Sequence, residues 1–581
     1  MISIYLCFSL SNDTTKMPLI EPEGSEEVAE EKRSSLATFF ILMVIVAATL
    51  LVHLLIVTNF YYIPESLAIV MLGAFIGLVL SYSKRDWSQV ESFNPNFFFL
   101  VLLPPIIFES GYNLHKGDFF ANMLPILTFA IVGTAISAFV IGSGLYILGE
   151  ADLIYRLSAV ESFAFGSMIS AVDPVATLAI FQALNVDPML YMLVFGESML
   201  NDAVSIVLTS TALRMSDPKM SALSTVESIR IAIFTFTSVF FVSAAIGAAI
   251  GLLSALLFKH VDLRKTPSLE LALLLVFAYL PYGFAEALSL SGIMAILFCS
   301  ITMSQFTHFN VSPITQMTMQ QTLRTVSFIA ETCTFAYLGM ALFTIELAFE
   351  PMFILWSILL CLISRGMNVF PLSFIVNKCR HVQISLKNQF IMWLSGMRGA
   401  VAFALALHIS IENETTKRML LTTALFILLF TIIFLGGSTL PFIKILNEVF
   451  SEKKHSNRKR RLRRRRERQN SKSQVMLSKT QEMVIFDHSE QMTSAAEDTG
   501  SISQRHFSLP RNRIASFIEH YVKPVFVRKF TLQEKLENKM KLKNLASEVL
   551  SKTALESVNF DTSSEGELFN SSRSAAEPLL N

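Results

Sequence analysis

Four polar residues interrupt an apolar stretch of about bilayer length, MLYMLVFGESMLNDAVSIVLTSTAL, which runs from Met189 to Leu213. They are Glu197, Ser198, Asn201 and Asp202. A carboxylate at the centre of a bilayer costs about 2.5–3.5 kcal/mol on insertion scales, and its default explanation is an ion or proton pathway. We therefore interpret this stretch as a membrane helix that carries a transport site.

The spacing of the two carboxylates separates their roles. Glu197 and Asp202 are five residues apart, which places them about 140° apart around a helix and about 7.5 Å apart along its axis. They cannot share a proton as a facing pair would, so one can be held structurally while the other binds a ligand. Ser198 and Asn201 lie next to Asp202 on the helix and supply neutral oxygens. This arrangement favours a site for a small cation at Asp202.

Two further apolar stretches are interrupted near their centres. The first contains Asp173-Pro174, and the second contains Arg398 between Gly396 and Gly399. Proline lacks an N–H and breaks or kinks a helix, while glycine loosens one. Broken helices expose positive N-terminal and negative C-terminal ends, so Asp173 suits the first kind of end and Arg398 the second. For Asp173-Pro174 alone, an ordinary proline kink is the alternative.

Arg365 is a second cation within an apolar stretch, LLCLISRGMNVFPLSFIV. A buried charge needs a partner. Glu197 is the leading candidate, because it lies on a different helix face from Asp202. A buried ion pair with no role in transport is the alternative interpretation.

Composition indicates a polytopic membrane protein. The chain has 581 residues, of which 52% are hydrophobic and only 16% charged, and its mean hydropathy is +0.52. Soluble domains are less apolar and more charged. No Cys or His cluster indicates a metal, cofactor or redox site, and we predict a protein that is not an enzyme. An intramembrane protease could pair Asp173 with Asp202, but no GxGD motif accompanies them.

Hydropathy predicts an all-α protein with about thirteen transmembrane helices. The predicted spans are 36–57, 62–82, 96–111, 122–148, 158–184, 189–213, 229–258, 269–287, 290–306, 325–347, 352–376, 388–410 and 418–447. The broken spans, five and twelve, are each the middle member of three consecutive spans. Interrupted helices in corresponding positions of two halves point to inverted repeats in a transporter.

The chain divides into an acidic tail (1–35), a membrane domain (36–450) and a polar C-terminal tail (451–581). The run RKRRLRRRRER from Arg458 to Arg468 favours the cytosolic face and anionic lipids, whereas a nuclear signal does not suit a polytopic protein. An odd number of spans then places the N-terminus outside the cytosol, where Asn12 is a glycosylation candidate.

Residues 1–10 leave a signal peptide open. In the C-terminal tail, the composition predicts disorder over 470–510, and helical periodicity returns over about 513–550. That helix could bind a regulatory protein or the membrane surface, or could be a solvated helix with no special role.

Several motifs together resemble the sodium/hydrogen exchanger family of cation/proton antiporters. They are FFFLVLLPPIIFESGY (97–112), SAVDPVATLAIF (170–181), VFGESMLNDAVSIVL (194–208), SGIMAI (291–296), ETCTFAYLG (331–339), SRGMNV (364–369) and GMRGAVAF (396–403). HVDLRKTPSLE (260–270), LPYGFAEALSLSGIMAILF (280–298) and MQQTLRTVSF (319–328) further resemble its Golgi/endosomal, exchanger-eight-like branch.

The resemblance implies an NhaA-like antiporter fold with two crossed, broken helices, and a homodimer in which a mobile core slides against a dimerisation scaffold. It implies that Asp202 carries the cation or the proton, that Asn201 marks the electroneutral type, and that Glu197 and Arg365 form the core salt bridge. It places Asp173, Pro174, Gly396, Arg398 and Gly399 at the crossover. The expected function is exchange of Na⁺ or K⁺ for H⁺ in a Golgi, endosomal or plasma membrane. A cation channel or uniporter is the alternative.

Overall fold

The computed structural model describes residues 25–58, 65–82, 97–114, 119, 122–173, 181, 188–215, 225–344, 347–378, 383–409, 411, 413–439, 441–443 and 522–527. Several predicted features lie outside these residues: Asn12, Pro174, the basic run 458–468, the stretch 470–510, and the predicted tail helix 513–550 except for 522–527.

The described residues are helical throughout their regular structure. The α-helices are α1 Ser25–Val57, α2 Glu65–Ser81, α3 Leu103–Tyr112, α4 Met123–Leu127, α5 Thr134–Glu150, α6 Ala159–Ile169, α7 Pro188–Arg214, α8 Thr225–His260, α9 Pro267–Ala287, α10 Gly292–Gln305, α11 Pro313–Thr344, α12 Pro351–Lys378, α13 Leu386–Leu394, α14 Ala400–His408, α15 Glu414–Phe430 and α16 Lys523–Phe526. Single π-helical segments lie at Phe98–Leu102, Thr128–Gly133 and Thr431–Gly436, and a 3₁₀ turn at Thr307–Asn310.

Seven helices in the described part of the chain are long and apolar enough to cross a membrane. They are Met123–Glu150, Met189–Arg214, Arg230–His260, Pro267–Ala287, Pro313–Phe343, Pro351–Lys378 and Glu414–Ile443. Shorter apolar helices of 10–17 residues accompany them. The all-helical membrane architecture is therefore confirmed, while the count of thirteen spans remains a prediction.

Two helices begin earlier than hydropathy predicts. The described part of helix α1 already includes Ser25, inside the predicted acidic tail, so the helix extends at least eleven residues beyond the predicted start at 36. Helix α11 begins at Pro313 rather than at 325. The buried carboxylate of Glu270 on α9 accepts hydrogen bonds from Ser312 N at 3.1 Å and from Thr315 Oγ1 at 2.6 Å. This contact from another helix stabilises a start that local hydropathy does not mark.

Prolines explain the distortion of the short third span. Pro104 has no N–H, so the carbonyl of Leu100, four residues earlier, loses its ordinary helical donor. The hydroxyl of Tyr279 on α9 donates to Leu100 O instead. The π-helical segment Phe98–Leu102 lies directly before the prolines, as expected where the hydrogen-bond ladder is interrupted.

The interrupted helices lie side by side within the bundle. Helix α6 packs between α5 and α7, while α14 contacts both α6 and α15. Helix α12 packs against α5, α13 and α15. These helices correspond to predicted spans four to six and eleven to thirteen. They therefore surround the two interruptions.

Candidate functional site

The chain after the end of α6 meets the interruption between α13 and α14 through a backbone contact. Helix α6 ends at Ile169, and residues 171–173 are not helical. The second interruption separates α13, ending at Leu394, from α14, beginning at Ala400. Asp173 N donates to Met397 O at 2.8 Å. A direct hydrogen bond thus joins the two non-helical segments.

Arg398 from the second interruption binds the C-terminal end of α6. Its Nη1 donates to Ser170 O at 2.9 Å and to Ala171 O at 3.1 Å, and the residue is only 3% exposed. The last carbonyls of a helix have no partner within it and carry partial negative charge. The buried guanidinium both donates hydrogen bonds to these carbonyls and compensates their partial negative charge.

Asp173 lies beside the beginning of α14. A Cβ atom built on Gly399, the residue preceding α14, would lie 2.5 Å from Asp173 Cβ. Only a residue without a side chain permits this approach. The carboxylate of Asp173 consequently lies next to a helix N-terminus, where negative charge is stabilised.

Glu197 and Arg365 form a bidentate ion pair between α7 and α12. Arg365 Nη1 contacts Glu197 Oε1, and Nη2 donates to Glu197 Oε2 at 3.1 Å. The two side chains are 4% and 3% exposed. Arg365 Nη2 also donates to Met392 O on α13 at 3.1 Å, and a Cβ on Gly396 would lie 2.9 Å from Arg365 Nε. The pair thus ties α7 to α12 and to the second interruption.

Three of the residues proposed to hold the cation lie on α7, within five residues of Glu197. Asp202 is partly buried, as is Ser198 one turn before it, and Asp202 lies within electrostatic range of Asp173. Asn201 is 1% exposed, and its buried Oδ1 has no hydrogen-bond partner among the described residues. The structure therefore brings Asp202 towards Asp173, while Glu197 is paired with Arg365.

Hydroxyl groups support this arrangement at positions that the sequence did not single out. Ser205, three residues after Asp202, donates to Ser167 O in the last turn of α6 at 2.6 Å, and it is fully buried. Thr431 Oγ1 accepts a hydrogen bond from Arg398 N at 3.1 Å. These contacts fix α7 against α6 and the second interruption against the last long helix.

The donor set suits a monovalent cation or a proton. Asp173, Asp202, Ser198 and Asn201 carry carboxylate, hydroxyl and amide oxygens, the atom type that hard cations prefer as ligands. Among the described residues, no group of three or more His, Cys, Asp or Glu side chains comes together as a metal centre would.

The chain is similar to known exchangers over most of its length. A family model described as "Sodium/hydrogen exchanger, transmembrane" matches residues 44–445. Sodium/hydrogen exchanger 8 of Homo sapiens is 48% identical over 494 residues, which cover 84% of this chain and 82% of that protein. Sodium/hydrogen exchanger 1 of Dictyostelium discoideum is 42% identical over 386 residues, 66% of this chain and 56% of that protein.

A solved structure shares the fold. The sodium proton antiporter MjNhaP1 from Methanocaldococcus jannaschii at pH 8 aligns with a TM-score of 0.56 and 17% sequence identity. The alignment covers 72% of this chain and 100% of that one.

Proposed function

Because this chain belongs to the sodium/hydrogen exchanger family, in the branch of sodium/hydrogen exchanger 8, we propose that it exchanges Na⁺ for H⁺ electroneutrally through Asp202. The observation that carries this proposal is the position of Asp202. It lies partly buried on α7, within electrostatic range of Asp173, while the neighbouring Glu197 is held in an ion pair by Arg365. Asp202 is thus the carboxylate left to bind a substrate.

Competition at a single carboxylate explains coupled exchange. Burial disfavours a bare negative charge, so Asp202 is stabilised by either a proton or a cation. The neutral oxygens of Ser198 and Asn201 contribute to cation binding without adding charge. Both loaded states then carry the same net charge, and one cation moves for each proton.

The crossed breaks suit alternating access. Arg398 compensates the partial negative charge at the end of α6, and Asp173 compensates the partial positive charge at the start of α14. The breaks therefore expose backbone groups at the site without leaving the helix-end charges unpaired. We propose that the core of spans four to six and eleven to thirteen moves as one body against a scaffold that forms a homodimer. The Glu197–Arg365 pair supports this, because it joins α7 to α12 across the two halves of the core.

Cation choice, compartment and the remaining contacts are further parts of the proposal. A carboxylate with neutral oxygens accommodates K⁺ as well as Na⁺. Branch membership supports a Golgi or endosomal membrane and regulation of luminal pH, with the plasma membrane as the alternative. The basic run supports a cytosolic C-terminal tail that contacts anionic lipids, and the tail beyond it is a candidate for a regulatory protein.

Proton flux in liposomes tests the proposal. Purified protein is reconstituted with a trapped pH dye, and Na⁺ or K⁺ is added outside. We expect saturable, cation-driven proton efflux from the native protein and background flux from Asp202→Asn. Asp152→Asn is the matched control, because Asp152 lies in the exposed turn after α5 with a positive φ of 53°, which asparagine tolerates.

The same assay separates exchange from the rival mechanism. A channel or uniporter conducts the cation without a proton gradient, and its flux generates a membrane potential. Wild-type flux in Asp202→Asn, or cation uptake that persists without counter-movement of protons, would contradict the proposal.

A further inference from the structure

A short segment of the C-terminal tail lies against the membrane domain. Residues 522–527 include α16, and they contact the end of α8 and the 3₁₀ turn between α10 and α11. We call the contacted residues Lys259, Phe306 and Asn310 the docking surface, and residues 522–527 the docked segment.

The docking surface binds backbone carbonyls. Lys259 Nζ donates to Val525 O and, at 3.4 Å, to Pro524 O. Asn310 Nδ2 donates to Phe526 O at 2.8 Å. A lysine ammonium has three donors and no acceptor, so it suits the carbonyls at the end of a short helical turn.

An aromatic contact adds side-chain specificity. The ring of Phe526 lies 5.8 Å from that of Phe306, centroid to centroid, at an interplanar angle of 53°. Aromatic pairs at this separation contribute beyond the area that they bury. The docked segment is therefore recognised through one ring and three carbonyls.

The surface is held in place by contacts within the membrane domain. Asn310 is 1% exposed, and its Nδ2 also donates to Ala255 O on α8 at 2.9 Å. Ser254 and Thr307 share a hydrogen bond of 2.7 Å between their hydroxyl groups. These contacts hold the 3₁₀ turn against α8 without any contribution from the docked segment.

Chain topology permits this contact within one protomer. In the predicted topology, six spans separate the loop after α8 from the tail: 269–287, 290–306, 325–347, 352–376, 388–410 and 418–447. An even number of crossings returns the chain to the same side of the membrane. The tail that follows therefore begins on the face that carries Lys259.

We propose that residues 522–527 are a docking segment by which the C-terminal tail binds the membrane domain of its own protomer at Lys259, Phe306 and Asn310. The stretch 444–521, which contains the basic run Arg458–Arg468, then has both of its ends on one membrane face. A neighbouring copy that supplies the segment instead is the competing arrangement.

Photo-crosslinking of the full-length protein in native membranes tests this. Phe526 is replaced with p-benzoyl-phenylalanine, which keeps an aromatic ring, and the same substitution at Phe507 measures non-specific attachment. We expect the probe at 526 to attach to the peptide that contains residues 306–310, in large excess over the probe at 507. Attachment only elsewhere would overturn the proposal.

Matched lysine variants test the recognition. Lys259→Met should lower attachment from position 526 several-fold. Lys265→Met, which changes an exposed lysine in the loop that follows α8, should leave attachment unchanged. Equal loss in both variants, or in neither, would contradict the assigned contact. Co-expression of a probe-bearing copy with a differently tagged, probe-free copy then distinguishes the two arrangements, because attachment to the probe-free copy would show exchange between protomers.

Discussion

Arg398 Nη1 lies 2.9 Å from Ser170 O, so the arginine of one broken helix binds the C-terminal end of the other. This contact joins α6 to the interruption between α13 and α14, and its residues are buried. The buried guanidinium stabilises the crossover only while it is bound to the carbonyls at the end of α6.

Removal of this guanidinium should destabilise the protein. Hydrogen bonds to a charged group contribute about 1.5–3 kcal/mol each, so we expect Arg398→Gln to lower the thermal unfolding temperature markedly in detergent. Arg398→Lys should lose less, because it keeps the charge. Arg156→Gln is the control, since Arg156 is exposed in the loop before α6, and it should unfold as the native protein does.

The Glu197–Arg365 pair should show strong coupling. Breaking a buried ion pair from one side costs about 3–5 kcal/mol, because the survivor is left buried and unpaired. Glu197→Gln and Arg365→Ala should each lower folded yield and unfolding temperature. The double variant should be less harmful than the sum of the two single changes. Additive effects in such a double-mutant cycle would show that the pair contributes no coupling.

A methyl group at Gly399 should disturb the crossover. An added Cβ would lie 2.5 Å from Asp173 Cβ, and overpacking of this kind costs about 1–3 kcal/mol. The backbone of Gly399 has φ −101°, which any residue adopts, so the clash alone decides the effect. We expect Gly399→Ala to lower both stability and exchange rate.

The matched control is Gly283→Ala on α9, where nothing lies within 4 Å of the added atom. This change should be neutral or slightly stabilising, because alanine favours helix more than glycine does. Equal effects at the two glycines would mean that the approach of Asp173 is not the cause.

Periodicity and charge predicted much of the fold and the pairing at the site. The resemblance to exchangers and the all-helical membrane architecture are confirmed. The partner of Arg365 followed from face geometry on α7, since only Glu197 was directed away from Asp202. Ion pairs between helices are predictable when few charges are available.

Contacts to backbone and hydroxyl groups could not be predicted in the same way. The acceptors of Arg398 are carbonyls, which have no sequence signature. Ser205 and Thr431 carry cross-helix contacts, yet Thr209 and Thr211 on the same apolar helix as Ser205 bond their own preceding turns. Serine and threonine do this commonly in helices, so type and spacing alone do not distinguish the two cases.

Topology gives a prediction at the N-terminus. If thirteen spans place residues 1–35 outside the cytosol, Asn12 should accept a glycan when the protein is made in cells. We expect a mobility shift that is removed by endoglycosidase and absent in Asn12→Gln, with Asn122→Gln as a substitution outside the predicted sequon. A protease-protection assay that shows both termini on the cytosolic side would contradict the odd number of spans.

Exchange through Asp202 should not respond to membrane voltage. One carboxylate holds either one monovalent cation or one proton, so both loaded states carry the same charge. Asn201 adds no titratable group. Asp173 lies beside the N-terminus of α14, and its backbone N–H donates to Met397 O, next to Arg398. These charges belong to the protein in both loaded states and do not alter the balance between them.

A net movement of one charge would be coupled to the potential by about 2.3 kcal/mol per 100 mV. Initial rates of Na⁺-driven proton efflux can be measured in liposomes whose potential is set by a gradient of a permeant lipophilic anion. We expect the same rate at zero and at either sign of the potential, with Asp202→Asn as background and Asp152→Asn as the active control. A rate that rises with one polarity and falls with the other would mean that a second proton or an uncompensated charge crosses with the cation, and the single-carboxylate mechanism would be wrong.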